Sequence, residues 1–431
     1  MSSEWHFVRL GDHVDSCLGK MLDSKKNKGT PQPYLGNSNV RWGEFDLVDL
    51  AEMRIEPHEE ERYRLRPGDL VVCEGGEPGR CAIWRGAPGM KIQKALHRIR
   101  SKETLDNHYL YYWFRHAAKT GYLDSHFTGT TIKHLTGKAM AALEVPLPPV
   151  GTQRAMVDVL RAIDERIDLL RESNATLEAI AQALFKSWFV DFDPVHAKQQ
   201  GLAPAGMDEA TAALFPDCFE GSVLGLVPKG WRAAALSEAF EINPLRSVKK
   251  GSAAPYLDMA SLATSGHCVE PPVQREFGSG TKFRNGDALL ARITPCLENG
   301  KSAFVDFLAG EDVGWGSTEF IVLRSKAPLP EYLGYLLCRH PPFREYAIHS
   351  MSGTSGRQRV QNDVLARYLL VIPGAAVSAA FGEVVATLQK SITANHAQAQ
   401  TLATLRDTLL PRLISGQLRL PEVKLLAEAT A

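Results

Sequence analysis

The run from His340 to Phe343 has the clearest chemical pattern in the chain, a Pro-Pro-aromatic sequence after a polar side chain. Enzymes that transfer a methyl group to adenine extrude the base and hold it with such a run, in which Asn, Asp or Ser comes first. Here His340 stands where a side-chain acceptor belongs, and no glycine-rich turn for S-adenosylmethionine precedes it. The pattern therefore favours a helix boundary at Pro341 and Pro342 over a catalytic role.

Other chemical motifs are missing from the sequence. It has no G-x-x-x-x-G-K-[ST] phosphate loop, and none of its 7 cysteines form a C-x-x-C pair. We therefore expect no catalytic residue, no cofactor and no metal site. The odd cysteine number fits free thiols in a reducing cytoplasm. The N-terminus shows no secretory signal, and no apolar run approaches the ~20 residues that would span a membrane.

Charge is unevenly distributed, although the formal net charge of the 431 residues is zero. The stretch from Glu44 to Glu74 holds 10 acidic and 4 basic residues, whereas Arg80 to Lys138 holds 11 Lys/Arg and 3 acidic residues. A polarised module of this kind can hold a polyanion on one side. The alternative is that both segments simply coat a solvated surface.

The second half of the chain repeats the order of the first about 225 residues later. Arg66–Leu70 has a counterpart in Arg284–Ala288, and Ile99–Lys102 has one in Leu323–Lys326. A period this long indicates a duplicated domain, since solenoid repeats are far shorter. We expect an α+β fold with two mixed α/β modules, at residues 1–150 and 231–376.

Two long helices are predicted at residues 151–190 and 377–416, each following one module. Apolar residues recur there at steps of three and four, which is typical of a heptad seam. A helix of about 38 residues within the first range would be about 57 Å long at 1.5 Å per residue. The predicted seam positions are Leu160, Ile163, Ile167, Leu170, Asn174, Leu177, Leu184, Val385, Leu388, Ile392, Asn395, Leu402, Leu409 and Leu413.

The two seams predict an antiparallel coiled coil within one chain, with Asn174 and Asn395 near each other midway. A seam asparagine lowers stability but fixes the register. The alternative is two ordinary amphipathic helices on separate cores. Arg406 occupies one seam position, where Leu405 beside it is expected to compensate, and Pro411 predicts a kink or an early end of the second helix.

Two further segments complete the predicted organisation. Residues 191–230 are rich in Ala, Pro and Gly and predict a partly ordered surface linker. Residues 417–431 are expected to form a tail.

Several phrases resemble a known family. Residues 148–154 and the phrase from Phe185 to Pro194 resemble the central conserved region of specificity subunits of Type I restriction–modification systems. Leu405–Gly416 resembles the second conserved region of the same family. The likeness covers essentially the whole chain, and the phrase from Phe185 to Pro194 is its most specific part.

The resemblance implies two target recognition domains that each read half of a bipartite site on double-stranded DNA. It also implies a helix pair that spaces them, two methyltransferase subunits docked on this frame, and restriction–translocase subunits that cleave. The subunit itself would carry no catalytic centre. The alternatives are a stand-alone DNA adenine methyltransferase, or a coiled-coil interaction protein without DNA binding.

Candidate contact residues follow from side-chain chemistry within this picture. Arg and Gln suit guanine and adenine edges, and lysines suit phosphates. For Asn37 and Asn39, turn formation is the competing explanation. The candidates for DNA contact are Lys94, His97, Arg98, Thr131, Lys133, His134, Asn37, Asn39, Ser355, Arg357, Gln358 and Arg359. Large apolar side chains that one narrow seam would not cover suggest a methyltransferase contact at Phe185, Trp188 and Phe189.

Overall fold

A computed structural model describes residues 5–23, 27–354 and 356–418. The chain divides into two compact units. The first unit combines the segment up to Ile167 with the segment from Thr401 onwards, and the second runs from Asp168 to Gln400. Each long helix therefore contributes to both units.

The first unit is built on a four-stranded antiparallel sheet. Its strands are β1 Phe7–Arg9, β2 Val14–Leu18, β3 Thr30–Leu35, β4 Glu52–Ile55, β5 Leu70–Cys73, β6 Cys81–Ile83, β7 Lys91–Ile92, β8 Leu96–Ser101 and β9 Glu144–Pro146. The main sheet has the order β2-β8-β5-β6. A smaller sheet has the order β4-β3-β7, in which β3 and β7 run parallel, and β1 pairs with β9.

Helices cover this sheet and close its core. They are α1 Leu10–His13, α2 Glu60–Tyr63, α3 Asn107–Lys119, α4 Gly137–Ala141 and the start of α5, with short 3-10 turns at Asn37–Asn39, Pro57–Glu59 and Tyr122–His126. The Asp106 carboxylate caps α3 by accepting from two backbone N–H groups of its first turn. Leu110, Trp113 and Phe114 of α3 are buried, as their spacing predicts.

The second unit has the same plan. Its strands are β10 Phe219–Ser222, β11 Gly225–Pro228, β12 Arg232–Ala235, β13 Phe240–Ile242, β14 Ala253–Leu257, β15 Val273–Glu276, β16 Thr281–Phe283, β17 Asp287–Ala291, β18 Ser302–Phe304, β19 Gly314–Gly316, β20 Phe320–Ser325 and β21 Leu369–Ile372. The main sheet has the order β13-β20-β17-β18, again antiparallel. A parallel pair, β14 and β19, and an outlying pair, β12 and β21, complete the repeat.

The helices of the second unit pack on its sheet and between its loops. They are the remainder of α5, α6 Asp193–Gln199, α7 Glu209–Ala213, α8 Leu236–Ala239, α9 Leu333–Arg339, α10 Pro341–His349, α11 Asn362–Leu365 and the first part of α12.

A buried ion pair marks the equivalence of the two units. In the first, Asp69 begins the turn into β5 and its Oδ1 accepts from Arg100 Nε at 2.7 Å. In the second, Asp287 Oδ1 accepts from Arg324 Nη1 at 3.1 Å. The two motifs that repeat in the sequence are therefore brought together in the same way in both units.

The two long helices are 40 residues each, α5 at Val150–Phe189 and α12 at Ala375–Ile414. Both begin one or two residues before the predicted start. Pro411 lies inside α12, and the helix continues to Ile414 instead of ending at the proline. No helix among the described residues combines the length and apolar character needed to cross a membrane.

Each of the predicted seam residues is buried or half-buried. Seven are buried and seven are half-buried. The buried ones are Leu160, Ile167, Leu170, Val385, Ile392, Leu409 and Leu413, and the half-buried ones are Ile163, Asn174, Leu177, Leu184, Leu388, Asn395 and Leu402.

Within the second unit, α5 and α12 run antiparallel. Asn174 is hydrogen-bonded to Asn395, and the Phe189 ring lies 4.6 Å from that of Phe381. Residues further along α5 therefore lie beside residues nearer the start of α12.

Arg406 has a different environment from the predicted one. It belongs to the first unit, is 8% exposed, and donates from Nη1 to Asp164 Oδ1 at 2.7 Å. Leu405 is 38% exposed and does not fill the seam in its place. A carboxylate, instead of an apolar neighbour, compensates the charge at this position.

The segment between the halves is more ordered than its composition suggests. Residues 191–230 contain α6, α7 and the β10–β11 hairpin. Three apolar residues, Val195, Phe215 and Val227, are buried by this arrangement. Val195 and Phe215 belong to the core of the second unit, so buried side chains anchor this partly ordered segment to that unit.

Candidate nucleic-acid interface

Acidic and basic side chains of the first unit form ion pairs with each other. Lys91 is fully buried and forms an ion pair with Glu60, and that hydrogen bond lowers the pKa of Glu60. Arg100 of the basic stretch also pairs with Asp69 of the acidic stretch, with Nε 2.7 Å from Oδ1. The basic stretch therefore presents fewer free cations than its sequence suggests, because the acidic stretch folds against it.

Two predicted contact residues lie in the interior. Arg98 is 4% exposed, and its Nη2 donates to Asp15 at 3.1 Å. His97 is 2% exposed, and burial lowers the pKa of its imidazole despite the nearby Glu74 carboxylate. Contrary to prediction, neither side chain is accessible to DNA, because both lie on β8, the strand at the centre of the sheet.

The predicted loop in the first unit forms a narrow hairpin. Thr128 and His134 exchange both backbone hydrogen bonds at 2.8 Å. Thr131 and Lys133 at its tip are exposed, and His134 is half-buried. Together with exposed Lys94, His134 lines a cleft of about 490 Å³. The hairpin thus presents a cation and hydroxyl groups beside an open cleft, as base and phosphate contact require.

Asn37 and Asn39 serve the backbone of a turn. Asn39 Oδ1 accepts from Gly36 N at 2.9 Å, and its Nδ2 donates to Asp46 O at 3.0 Å. Asn37 Nδ2 donates to Gly75 O at 2.9 Å. These bonds favour the turn explanation over base contact.

An equivalent hairpin occurs in the second unit. Ser352 and Arg359 exchange backbone hydrogen bonds at 3.0 and 2.9 Å. Arg357 is exposed and Gln358 is half-buried, whereas Ser355 lies outside the described residues. The Arg359 guanidinium is held by Glu319, with Nη2 2.7 Å from Oε1. Arg359 is therefore occupied by a protein carboxylate.

The aromatic residues predicted to meet a methyltransferase subunit are buried within the second unit. Trp188 lies 4.9 Å from the Phe215 ring, and Phe189 lies 4.6 Å from that of Phe381. Phe185 is 5% exposed. The prediction of an accessible contact was wrong because later parts of the chain cover these rings: Phe215 packs on Trp188, Trp231 on Phe189, and His340 on Phe185.

The Pro-Pro-aromatic run has a structural role. Pro341 and Pro342 open helix α10, and Phe343 is fully buried. The start of a helix suits proline, which lacks an N–H group to donate.

Comparison with known proteins gives consistent matches. A family model for the Type I restriction modification DNA specificity domain matches residues 2–179. The chain is 24% identical over 437 residues to the Type I restriction enzyme MjaIX specificity subunit of Methanocaldococcus jannaschii, covering 97% of this chain and 95% of that one. It is also 24% identical to the HindI specificity subunit of Haemophilus influenzae, covering 67% of this chain and 72% of that one.

A solved structure supports the fold. The S subunit of a Type I restriction–modification system from M. genitalium superposes with a TM-score of 0.53 at 16% identity, covering 95% of this chain and 96% of that one. The domain match over residues 2–179 and the similarity to these relatives together support a specificity subunit of a Type I restriction–modification system.

Proposed function

We propose that this chain recognises a bipartite site on double-stranded DNA, with each unit reading one half. The observation that carries the proposal is the repetition of one sheet order and one hairpin in two units that carry different side chains on that hairpin. Two units with the same fold but different hairpin side chains suit recognition of two different base sequences.

The paired helices α5 and α12 are proposed to act as a coiled-coil spacer. The Asn174–Asn395 hydrogen bond supports a fixed register between them, because sliding one helix would separate the two amides. Two methyltransferase subunits and restriction–translocase subunits, acting in the cytoplasm, would dock on this frame and carry out modification and cleavage. The chain itself would be a non-catalytic subunit.

The proposed contacts differ between the two kinds of readout. Exposed Lys94 and Lys133 suit phosphates, whereas Thr131, His134, Arg357 and Gln358 suit base edges. His97 and Arg98 are left out because they are buried. Arg359 is left out because the Glu319 carboxylate binds its guanidinium.

The test is binding by the chain assembled with its methyltransferase subunits. Selection from a random duplex pool should yield two short specified blocks separated by an unspecified spacer. Affinity for that site should fall steeply with salt, and more gently in Lys94→Gln/Lys133→Gln, since each lost phosphate contact reduces the slope by about one. A single block, or no salt dependence, would contradict the proposal. Saturable S-adenosylmethionine binding by the chain alone would favour a complete methyltransferase instead.

A further inference from the structure

One backbone position is equivalent in the two units but carries an acidic side chain in the first unit and a basic side chain in the second. In the first unit, Glu74 O accepts from Leu135 N at 2.7 Å. In the second, Arg292 O accepts from Val360 N at 3.0 Å. Each acceptor directly follows an inner strand of its main sheet, β5 or β17, and each donor directly follows the hairpin described above.

A second pair of hydrogen bonds fixes the same equivalence. Glu74 N donates to Ala95 O at 2.8 Å, and Arg292 N donates to Glu319 O at 3.0 Å. Ala95 and Glu319 both immediately precede the neighbouring strand of the sheet, β8 or β20. Glu74 and Arg292 therefore occupy equivalent backbone positions at the base of the hairpin and carry different side chains.

In the first unit the Glu74 side chain lines the cleft of about 490 Å³ with Gln93, Lys94 and His134. The Glu74 side chain remains 14% exposed. Nε2 of His97 lies 3.9 Å behind it and has no hydrogen-bond partner among the described residues. The floor of this cleft thus offers an acceptor that the fold leaves largely unused.

In the second unit the Arg292 side chain is half-buried. Its Nη2 donates to Gln361 Oε1 at 3.2 Å, and its Nε is buried without a partner among the described residues. The carboxylate of Glu319, which directly precedes β20, is occupied by Arg359. Arg292 therefore retains donors that the described part of the fold does not satisfy.

We propose that Glu74 and Arg292 determine one base each in the two halves of the site. Glu74 accepts from an exocyclic amino group in the major groove, the N4 amine of cytosine or the N6 amine of adenine. Arg292 donates to O6 and N7 of guanine. The inference rests on the proposed function and adds the chemical class of base that each half-site contains.

The direct test uses the unaltered chain in complex with its methyltransferase subunits and the selected duplex. Each adenine or cytosine of the first half is replaced in turn by an analogue that lacks the amino group, and each guanine of the second half by 7-deazaguanine. One analogue in each half should weaken binding roughly five- to hundredfold. Uniform tolerance of the analogues in either half would overturn the assignment for that half.

Variants then connect the base to the residue. Glu74→Ala should remove discrimination at one position of the first half only, and Arg292→Ala at one position of the second half only. Glu103→Ala and Arg367→Ala, which change exposed residues of the same types in the same units, serve as controls and should leave the site unchanged.

The outcomes separate this inference from the proposed function. If the unaltered complex selects no bipartite site, the proposed function itself fails. If it does, and Glu74→Ala and Arg292→Ala retain full discrimination or alter both halves alike, only the assignment of these two residues fails. An Ala variant that does not fold leaves the analogue scan on the unaltered chain as the deciding measurement.

Discussion

Asn395 Nδ2 donates a hydrogen bond to Asn174 Oδ1 at 3.0 Å, and Asn174 Nδ2 in turn donates to the backbone oxygen of Ile392 at 3.0 Å. The Asn174 amide is thus hydrogen-bonded to α12 through both its oxygen and its nitrogen, within a mainly apolar contact. Paired polar groups of this kind lower the cost of burial and select one alignment of the helices.

Removing one member of this pair should destabilise the second unit. We expect Asn174→Leu to lower the free energy of unfolding by about 1–2 kcal/mol, because the Asn395 amide then loses its acceptor at 3.0 Å and keeps only the longer contact with Ser173 Oγ at 3.5 Å. The double variant Asn174→Leu/Asn395→Leu should recover most of the loss. Urea denaturation of the four proteins gives the coupling energy, and additive effects would show that the pair does not act as a unit.

Removal of the Asp164 carboxylate, which pairs with Arg406, should destabilise the first unit. Asp164 also accepts from Tyr112 Oη at 2.8 Å, so it satisfies two groups of the first unit. Asp164→Ala should cost about 3 kcal/mol because Arg406 then remains buried with less compensation. Asp168→Ala, whose partner Arg171 is 72% exposed, should change stability by about 0.5 kcal/mol or less. Equal effects in urea denaturation would contradict this account.

The elements that follow from local pattern were predictable from sequence. The heptad spacing predicts both long helices to within two residues, and the repeated Arg66–Leu70 and Arg284–Ala288 motifs predict the duplicated turn. Burial by distant segments was not predictable in this way. Trp188 looks exposed on a single helix, but Phe215, 27 positions later, packs against it.

The candidate interface was only partly predictable for the same reason. Lys94 and Lys133 are exposed, as basic residues usually are. His97 and Arg98 are buried because they belong to β8, an inner strand whose neighbouring strands lie far away in the sequence. Glu74 carries no motif of its own. Its position after the apolar strand Leu70–Cys73 was the one available signal, since polar residues at strand ends often face a site.

Acid should destabilise the first unit through His97. Burial lowers the pKa of its imidazole below the ordinary 6.5, so the unfolded chain takes up a proton before the folded chain does. The free energy of unfolding should therefore be unaffected by His97 above about pH 7.5 and should decrease as the pH falls through 6.5. His97→Gln should flatten this slope between pH 7 and 5, whereas Lys94→Gln should not. Parallel slopes in urea denaturation would contradict the assignment.

Trp188 should behave as a core residue. We expect Trp188→Ala to lower the free energy of unfolding by about 3–5 kcal/mol, because it removes a buried ring packed on Phe215 and Phe381. Leu226→Ala, at a side chain that is 70% exposed in the same unit, should change it by about 0.5 kcal/mol or less. A stable Trp188→Ala protein that fails only to bind methyltransferase subunits would restore the surface role.

The most direct test of the central claim is an exchange of one recognition module. Residues 1–150 are replaced by the corresponding module of a relative, and the chimera is assembled with the methyltransferase subunits. Mapping of the modified adenines, or selection from a random duplex pool, then reads out the site. The account predicts that one half of the site changes while the other half and the spacer length stay the same. A change in both halves, or in neither, would contradict it.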